Sequence, residues 1–276
     1  MGRTSKDKRD IYYRLAKEQG WRARSAFKLL QLDAHFSLFT NVTRVVDLCA
    51  APGSWSQVLA QKCPAARIVA VDLQLMAPLD GVVQLQGDIT KLTTARSVVE
   101  CCGGPADLVV CDGAPDVTGL HDMDEYVQGQ LLLAALNITT HVLRPGGSFV
   151  AKIFRGPDAD ILLTQLRLFF DAVFCAKPAS SRNSSLEAFV VCRGYAPPAG
   201  YEPTTLTKFI EDGFRFTDTT DSMHGRLVPF VACGDLAGYD SDKTYSLDEH
   251  YVWTDPLQPP TIPPYKAALA RKRKEL

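Results

Sequence analysis

Short apolar runs alternate with longer segments of helical periodicity from about residue 44 to residue 193. Runs of five to seven residues rich in Val, Ile and Leu are typical of buried strands, whereas apolar residues three and four apart are typical of helices. The predicted strands are Arg44–Cys49, Arg67–Leu73, Val82–Gln86, Asp107–Cys111, Ser148–Phe154, Ala172–Ala176 and Glu187–Arg193. The predicted helices between them are Ser54–Lys62, Leu92–Cys101, Asp124–Leu143 and Asp160–Phe170. This alternation predicts a doubly wound α/β fold with a seven-stranded, mostly parallel sheet.

Two more helices are predicted before the first strand, at Lys6–Glu18 and at Ser25–Leu38. Residues 1–28 hold nine Lys or Arg against three Asp or Glu, although the net charge of the whole chain is −1. Aromatic residues stand among these cations. Because cations bind phosphates and rings stack on bases, the segment is predicted to contact RNA, with Arg22, Arg24 and Lys28 as candidates. A solvated helical face explains the charge equally well.

The composition changes after Gly194. Residues 196–265 hold nine of the 17 prolines and eleven acidic residues against four basic ones, with little periodicity. We therefore predict one domain over residues 1–195 and an irregular extension over 196–276, which ends in the basic tail Arg271–Lys274. The extension is expected to contact a partner protein or RNA.

The overall composition is that of an ordinary globular protein, with 46% hydrophobic and 22% charged residues. No apolar run reaches the length of a membrane span, and the polar Met1–Asp10 does not resemble a secretory signal. The eight cysteines include no C-x-x-C pair, and most lie in apolar runs. We expect reduced thiols, a cytoplasmic location and no metal site.

The most informative stretch is Val45–Gln57, which reads V-V-D-L-C-A-A-P-G-S-W-S-Q. It predicts a buried strand, a turn of small residues at Ala50-Ala51-Pro52-Gly53, and the start of a helix. This arrangement forms the ligand-binding half of a doubly wound domain. The dinucleotide motif G-x-G-x-x-G and the phosphate loop are both absent. Proline also removes one N–H group, so an uncharged or zwitterionic ligand fits better than a diphosphate.

Acidic residues follow three successive strands, at Asp72, Asp88 and Asp112. Open α/β sheets bind their ligands at this end of the strands. Asp72 occupies the place of an acid that accepts hydrogen bonds from a nucleoside ribose, and Asp88 is placed to bond an adenine amino group. Each aspartate alone is explained as well by a loop or a helix cap, but the set of three predicts a ligand site.

Lys152 lies inside the otherwise apolar run Phe149–Phe154. A buried lysine is costly unless it is paired, and burial is expected to lower its pKa, which would let it act as a general base. A strand-end lysine that reaches solvent is the alternative. Glu187 opens the last strand and Lys28 begins the second helix.

The sequence resembles the FtsJ-like ribose 2′-O-methyltransferases. The resemblance rests on Arg22–Leu32, Asp47–Trp55, Val109–Pro115, Phe149–Phe154 and Ser181–Cys192. Within these stretches Lys28, Asp112, Lys152 and Glu187 match the Lys–Asp–Lys–Glu tetrad of the family. The opening M-G-R-T-S-K-D-K-R-D-I-Y-Y-R-L and the stretch D-G-A-P-D-V-T-G-L-H-D resemble the eukaryotic members that act on the tRNA anticodon loop.

This resemblance implies a Rossmann-like methyltransferase fold and S-adenosylmethionine as the cofactor, held by Gly53, Trp55, Asp72, Asp88 and Asp112. It implies catalysis by the four tetrad residues, with Lys152 as the general base for a ribose 2′-hydroxyl. It also implies methylation of tRNA at position 32, position 34 or both. A THADA-like HEAT-repeat partner would direct the first and a WD-repeat partner the second.

Other functions remain open at this point. An inactive methyltransferase-like RNA-binding subunit is opposed by the complete tetrad, and a nicotinamide dehydrogenase by the missing G-x-G-x-x-G motif. A methyltransferase for proteins or small molecules is opposed by the basic, aromatic N-terminal segment. A methyltransferase for ribosomal or another RNA agrees with the same residues.

Overall fold

A computed structural model describes residues 10–115, 121–156 and 159–203, together with the single positions 244, 246, 249, 250, 252 and 271. The chain forms two compact units, Met1–Phe230 and Val231–Leu276. The continuous described ranges all lie in the first unit. Residues 6–9, where the first helix is predicted to begin, lie outside the described part, as does most of the predicted extension.

Seven strands form one sheet: β1 Arg44–Leu48, β2 Arg67–Asp72, β3 Val82–Gln86, β4 Ala106–Cys111, β5 Leu143–Phe154, β6 Phe170–Ala176 and β7 Glu187–Tyr195. Their order across the sheet is β3-β2-β1-β4-β5-β7-β6. The pairs from β3 to β5 are parallel, whereas β7 runs antiparallel to β5 and β6. The predicted fold class is confirmed. The strand order reverses between β1 and β4, where doubly wound folds bind ligands.

The part of the chain that the structure describes contains six helices: α1 Ile11–Glu18, α2 Ala26–Phe36, α3 Ser54–Lys62, α4 Leu92–Cys102, α5 His121–Val142 and α6 Ala159–Leu166. Residues of α2 and α3 share one buried cluster with one face of the sheet. Residues of α4, α5 and α6 share a larger cluster with the other face. No helix among the described residues is long and apolar enough to cross a membrane.

Strand β5 starts earlier than the predicted Ser148. It begins at Leu143 and includes Pro145, Gly146 and Gly147, which were predicted as a turn. Its pairing with β4 shifts register between Ala106 and Leu108, and Gly146 has a φ of +74°. Because a bulge tolerates proline and glycine, the strand continues through these residues rather than ending before them.

The chain packs back onto the core after β7. The Ala196 amide donates to the Phe169 carbonyl at 2.8 Å. The Tyr201 ring contacts the Phe169 ring with centroids 5.0 Å apart, and the Tyr201 hydroxyl donates to Thr140 Oγ1 at 3.2 Å. Residues just beyond the predicted boundary at 195 therefore complete the core. The predicted domain limits themselves stay a prediction.

Replacement of Tyr201 tests the contribution of this segment. We expect Tyr201→Ala to lower the free energy of unfolding by about 2–4 kcal/mol, because it removes a large ring that packs on the core. Tyr201→Phe keeps the ring and loses one hydrogen bond, so it should cost about 1 kcal/mol. Urea unfolding followed by circular dichroism measures both. An alanine variant as stable as the wild type would show that the segment after β7 does not stabilise the fold.

Candidate active site

The connection from β1 to α3 is a tight turn of small residues. Cys49 has a φ of +55°, the Ala51–Pro52 peptide is cis, and Gly53 has a φ of +101° as the residue before α3. The Gly53 amide closes the turn by donating to the Ala50 carbonyl at 2.6 Å. Only glycine adopts this φ without strain, and the turn exposes backbone to a ligand. The first N–H groups of α3 have no acceptor within the helix and point out at this edge of the sheet.

The side chains of Asp72 and Arg22 hold this turn. Asp72 Oδ2 accepts from the Ala51 amide at 2.8 Å, and Asp72 Oδ1 accepts from the Gln74 amide at 2.7 Å. The Arg22 guanidinium donates to the Pro52 carbonyl at 3.1 Å and to the Ala77 carbonyl at 2.9 Å. A Cβ on Gly53 would lie 2.6 Å from Arg22 Nη1. Arg22, predicted as an RNA contact, therefore braces the turn in the structure.

Asp47 lies beneath the turn and is fully buried. Its Oδ2 accepts from the Ser56 hydroxyl at 2.6 Å, while its Oδ1 has no hydrogen-bond partner among the described residues. Burial raises the pKa of Asp47 to about 7. The hydrogen bond from Ser56 lowers this pKa, whereas the charges of Asp112 and Asp72 raise it further. A buried oxygen without a partner at this edge is a polar group that a ligand can satisfy.

Trp55 and Asp88 have local roles in the structure. The Trp55 indole is buried, donates from Nε1 to the Ser25 carbonyl at 2.9 Å and packs on Phe189. Its ring cannot reach a ligand, so any contact by this residue would use its backbone amide. Asp88 Oδ1 accepts from the Thr90 amide and hydroxyl at 2.9 and 2.8 Å, as in a turn that precedes a helix.

The four residues of the predicted tetrad meet at one point. Lys152 Nζ lies 2.7 Å from Asp112 Oδ1 and 3.7 Å from Glu187 Oε2. Lys28 Nζ lies 2.6 Å from Glu187 Oε2 and 4.0 Å from Asp112 Oδ1. The two lysines are only 9% and 7% exposed, for Lys28 and Lys152 respectively. Two ammonium groups therefore share two carboxylates at the carboxyl end of β4 and β5, beside the β1–α3 turn.

The expectation that Lys152 has a lowered pKa is wrong, because the net shift in the structure is upward. Burial does act to lower that pKa, but the charges of Asp112 and Glu187 and the hydrogen bond to Asp112 outweigh it, so the pKa is raised. Burial likewise acts to raise the pKa of Glu187, yet the charges of Lys28 and Lys152 hold it below its usual value. The cluster is thus a set of mutually stabilised charges.

Three further side chains, which no sequence pattern indicated, support the tetrad. The Ser181 hydroxyl donates to Glu187 Oε1 at 2.7 Å, on the oxygen that the lysines leave open. Gln128 Nε2 donates to the Lys152 carbonyl at 3.0 Å and to the Gly113 carbonyl at 3.2 Å. Lys177 Nζ donates to the carbonyls of Ser185 and Glu187 at 2.8 and 2.7 Å.

These supporting residues gave little signal in the sequence. Nothing local separates Ser181 from Ser180 or predicts that Gln128 faces inward from a helix. Asp47 did carry a signal, because it is a charged residue within the apolar run of β1.

Arg24, the remaining predicted RNA contact, is tied to neighbouring elements. Its guanidinium pairs with Asp10, the residue that caps α1, and donates to the Ser180 carbonyl. Arg182 pairs with the same carboxylate at 3.3 Å. Arg24 and Arg182 therefore connect α1 to the β6–β7 loop. Among the described residues, no group of three or more His, Cys, Asp or Glu could hold a metal ion.

The pH dependence of stability tests the environment of Asp47. Its raised pKa means that the native state keeps a proton that the unfolded chain releases above about pH 4. Stability should therefore fall as pH rises from about 4 to about 7, by up to about 1.4 kcal/mol per pH unit. Asp47→Asn removes this contribution, so its unfolding free energy should change less between pH 5 and pH 7. Parallel pH profiles for the two proteins in urea unfolding would place an ordinary carboxylate at Asp47.

The geometry agrees with what known proteins show. The FtsJ-like methyltransferase family matches residues 21–195. A Homo sapiens protein named tRNA (cytidine(32)/guanosine(34)-2′-O)-methyltransferase is 63% identical over 99% of this chain and 86% of its own length. A Schizosaccharomyces pombe protein of the same name is 56% identical over 100% of this chain and 99% of its own length.

A solved structure described as a ribosomal RNA methyltransferase from Plasmodium falciparum is 23% identical, with a TM-score of 0.57 over 64% of this chain and 100% of that one. At this identity the likeness concerns the fold alone. The family match and the two near-full-length relatives show that this chain belongs to the FtsJ-like methyltransferase family.

Proposed function

We propose that this protein transfers the methyl group of S-adenosylmethionine to the ribose 2′-hydroxyl of tRNA, at position 32, position 34 or both in the anticodon loop. One observation carries the proposal: Lys28, Asp112, Lys152 and Glu187 form a single cluster beside the small-residue turn at the switch point of the sheet. The names of the human and fission yeast relatives support the tRNA substrate and the two positions.

The residues around the turn suit this cofactor. The first amides of α3 can donate hydrogen bonds to its amino-acid carboxylate. Asp72 and Asp88 are the proposed acceptors for its ribose and adenine, with Asp112 nearest the tetrad. The unpartnered Oδ1 of Asp47 supports a polar ligand at this edge. When bound, the cofactor supplies a methyl group already activated on a sulfonium ion.

The tetrad residues then act on the substrate hydroxyl. The 2′-oxygen must be aligned with the methyl group, and positioning provides much of the acceleration. Lys152 is the proposed general base, a contribution of about 10²–10⁴-fold. Its pKa is raised by Asp112 and Glu187 although Lys28 shares the same carboxylates, so a further positive charge has to lower it. A bound sulfonium ion would be such a charge.

Lys28 has a second proposed role. Its ammonium group stabilises negative charge on the 2′-oxygen while the proton leaves. Asp112 and Glu187 orient the two lysines and prevent either one from being buried without a partner.

The basic N-terminal segment is the proposed RNA contact. Lys28 belongs to the tetrad, and Arg24 bonds the loop between β6 and β7. Arg22 contributes to RNA binding through the turn that it holds. Because both arginines also bind backbone carbonyls, their substitution tests structure as well as RNA binding.

Separate partner proteins are proposed to select the position. A THADA-like HEAT-repeat protein would direct methylation at position 32, and a WD-repeat protein at position 34. Mapping 2′-O-methylation in tRNA from strains that lack one partner would test this assignment. Methylation of both positions without either partner would refute it.

The proposed activity is tested by transfer of a labelled methyl group to tRNA, followed by mapping of the modified nucleotide. Label at ribose 32 or 34 is the expected result. Transfer to ribosomal RNA with none to tRNA would overturn the substrate assignment. Absence of transfer to any RNA would favour a binding subunit.

Substitution of Lys152 separates its two possible roles. We expect Lys152→Ala to keep the fold and cofactor binding but to lose methyl transfer by at least about 100-fold. Lys152→Arg should be equally inactive, because a guanidinium cannot release its proton near neutral pH. The wild-type rate should rise with pH until Lys152 is neutral. Near-normal turnover by Lys152→Arg would show that only a positive charge is needed.

Ser181 and Ser180 provide a matched pair of substitutions. Both are buried, but only the Ser181 hydroxyl bonds Glu187, while Ser180 Oγ has no partner in the described part of the chain. We expect Ser181→Ala to lower turnover by about tenfold to a hundredfold, since a hydrogen bond to a charged group is lost. The pKa of Glu187 should then rise, which moves the acid limb of the rate profile to higher pH. Ser180→Ala should behave as the wild type, and equal effects of both substitutions would assign the loss to packing.

A further inference from the structure

A groove lies beside the tetrad, between helix α2 and the edge strand β6. Its volume is about 600 Å³, which is within the usual range for small-molecule sites. Gln31, His35 and Phe36 of α2 form one wall, and Phe174 and Cys175 of β6 form the other. Lys177 lies where the groove approaches the active site.

Aromatic rings make up the outer part of the groove. The His35 and Phe36 rings meet edge-on at 4.8 Å, and the Phe36 and Phe174 rings are 5.5 Å apart. Phe174 is 46% exposed, although its ring is large and apolar. An exposed ring beside other rings is a surface on which a nucleobase can stack.

The charge of the groove suits a polyanion. Lys177 lies in its wall, and the charges of Arg155 and Lys177 both act on Cys175. None of the described residues that line the groove carries a carboxylate. Lys177 uses two of its three donors on the carbonyls of Ser185 and Glu187, which leaves one for a ligand.

The groove is continuous with the active site. Lys177 bonds the backbone of Glu187, the tetrad residue that opens β7. Gln31 Oε1 accepts from the Ser180 amide at 2.9 Å, next to Ser181 and its hydrogen bond to Glu187. A strand of RNA with its reactive ribose at the tetrad can therefore continue into the groove without leaving the surface.

We infer that this groove binds a nucleotide that neighbours the methylated one, with its base on the Phe174 and His35 rings and its phosphate on Lys177. The inference rests on the proposed function, because it places a second nucleotide of the same RNA substrate. An apolar peptide of a partner protein is the alternative occupant, and the cations and the continuity with the tetrad favour RNA over it.

Three substitutions at Phe174 test the stacking. Affinity for tRNA is measured by filter binding with the full chain, and the KM for tRNA and kcat are measured alongside. We expect Phe174→Ala to weaken tRNA binding by about 5- to 100-fold with kcat at saturating tRNA unchanged. Phe174→Tyr should bind as the wild type, since it keeps a ring. Phe174→Leu should be as weak as the alanine variant, because it is apolar but cannot stack.

Ile161→Ala is the matched control. Ile161 is 41% exposed on α6, in the helical layer on the other face of the sheet, so tRNA affinity should not change. Lys177→Gln should reduce the slope of log affinity against log salt by about the amount that one phosphate contact contributes.

The outcomes distinguish the occupants. Normal tRNA affinity in both Phe174→Ala and Phe174→Leu would overturn the inference. Normal affinity in Phe174→Leu with a loss in Phe174→Ala would show that an apolar contact without stacking is enough, and it would also overturn the inference. Failure of the wild type to methylate tRNA would refute the proposed function, whereas the binding measurements would still decide whether RNA occupies the groove.

Discussion

The structure depends on two buried ammonium groups that are matched by two partly buried carboxylates. Burial of a single charge costs several kcal/mol, so each lysine is tolerated only while Asp112 and Glu187 are in place. These four residues come from α2, the end of β4, β5 and the start of β7. Their pairing therefore fixes how the N-terminal helices sit on the sheet. The same pairing keeps Glu187 ionised and raises the pKa of Lys152, so the resting site is charged and balanced.

This balance has a chemical consequence. A lysine that its neighbours hold as an ammonium ion cannot accept a proton until another positive charge arrives. In the proposed mechanism this charge would be the sulfonium of the cofactor, whose proposed site is the turn beside the tetrad. A cation bound nearby would also lower the raised pKa of Asp47, because it favours the ionised form of a carboxyl group.

Positioning in this site is shared among several residues outside the tetrad. Ser181 orients Glu187 through a hydrogen bond to one carboxylate oxygen, and Gln128 holds the Lys152 carbonyl. Arg22 and Asp72 hold the small-residue turn. Another contact joins segments more than a hundred residues apart, between Gln31 and the Ser180 amide. The β6–β7 loop is thus held by α2 as well as by the sheet, and it connects the tetrad to the neighbouring groove.

The order of strands and helices and the position of the small-residue turn follow from local patterns in the sequence: apolar runs, and Pro52-Gly53 between a strand and a helix. The predicted tetrad rests on the resemblance of the sequence to the family, and only Lys152 stood out by itself, as a lysine in an apolar strand. The tertiary structure alone decided what these residues do to one another. In the structure the Trp55 ring packs in the core, and Arg22 and Arg24 bond the backbone of neighbouring segments. Strand β5 continues through Pro145, and the pKa of Lys152 is raised rather than lowered. The physical reason is that hydrogen bonding and electrostatic interaction depend on distances between residues far apart in the chain, such as 2.6 Å between Lys28 and Glu187, which no local pattern contains.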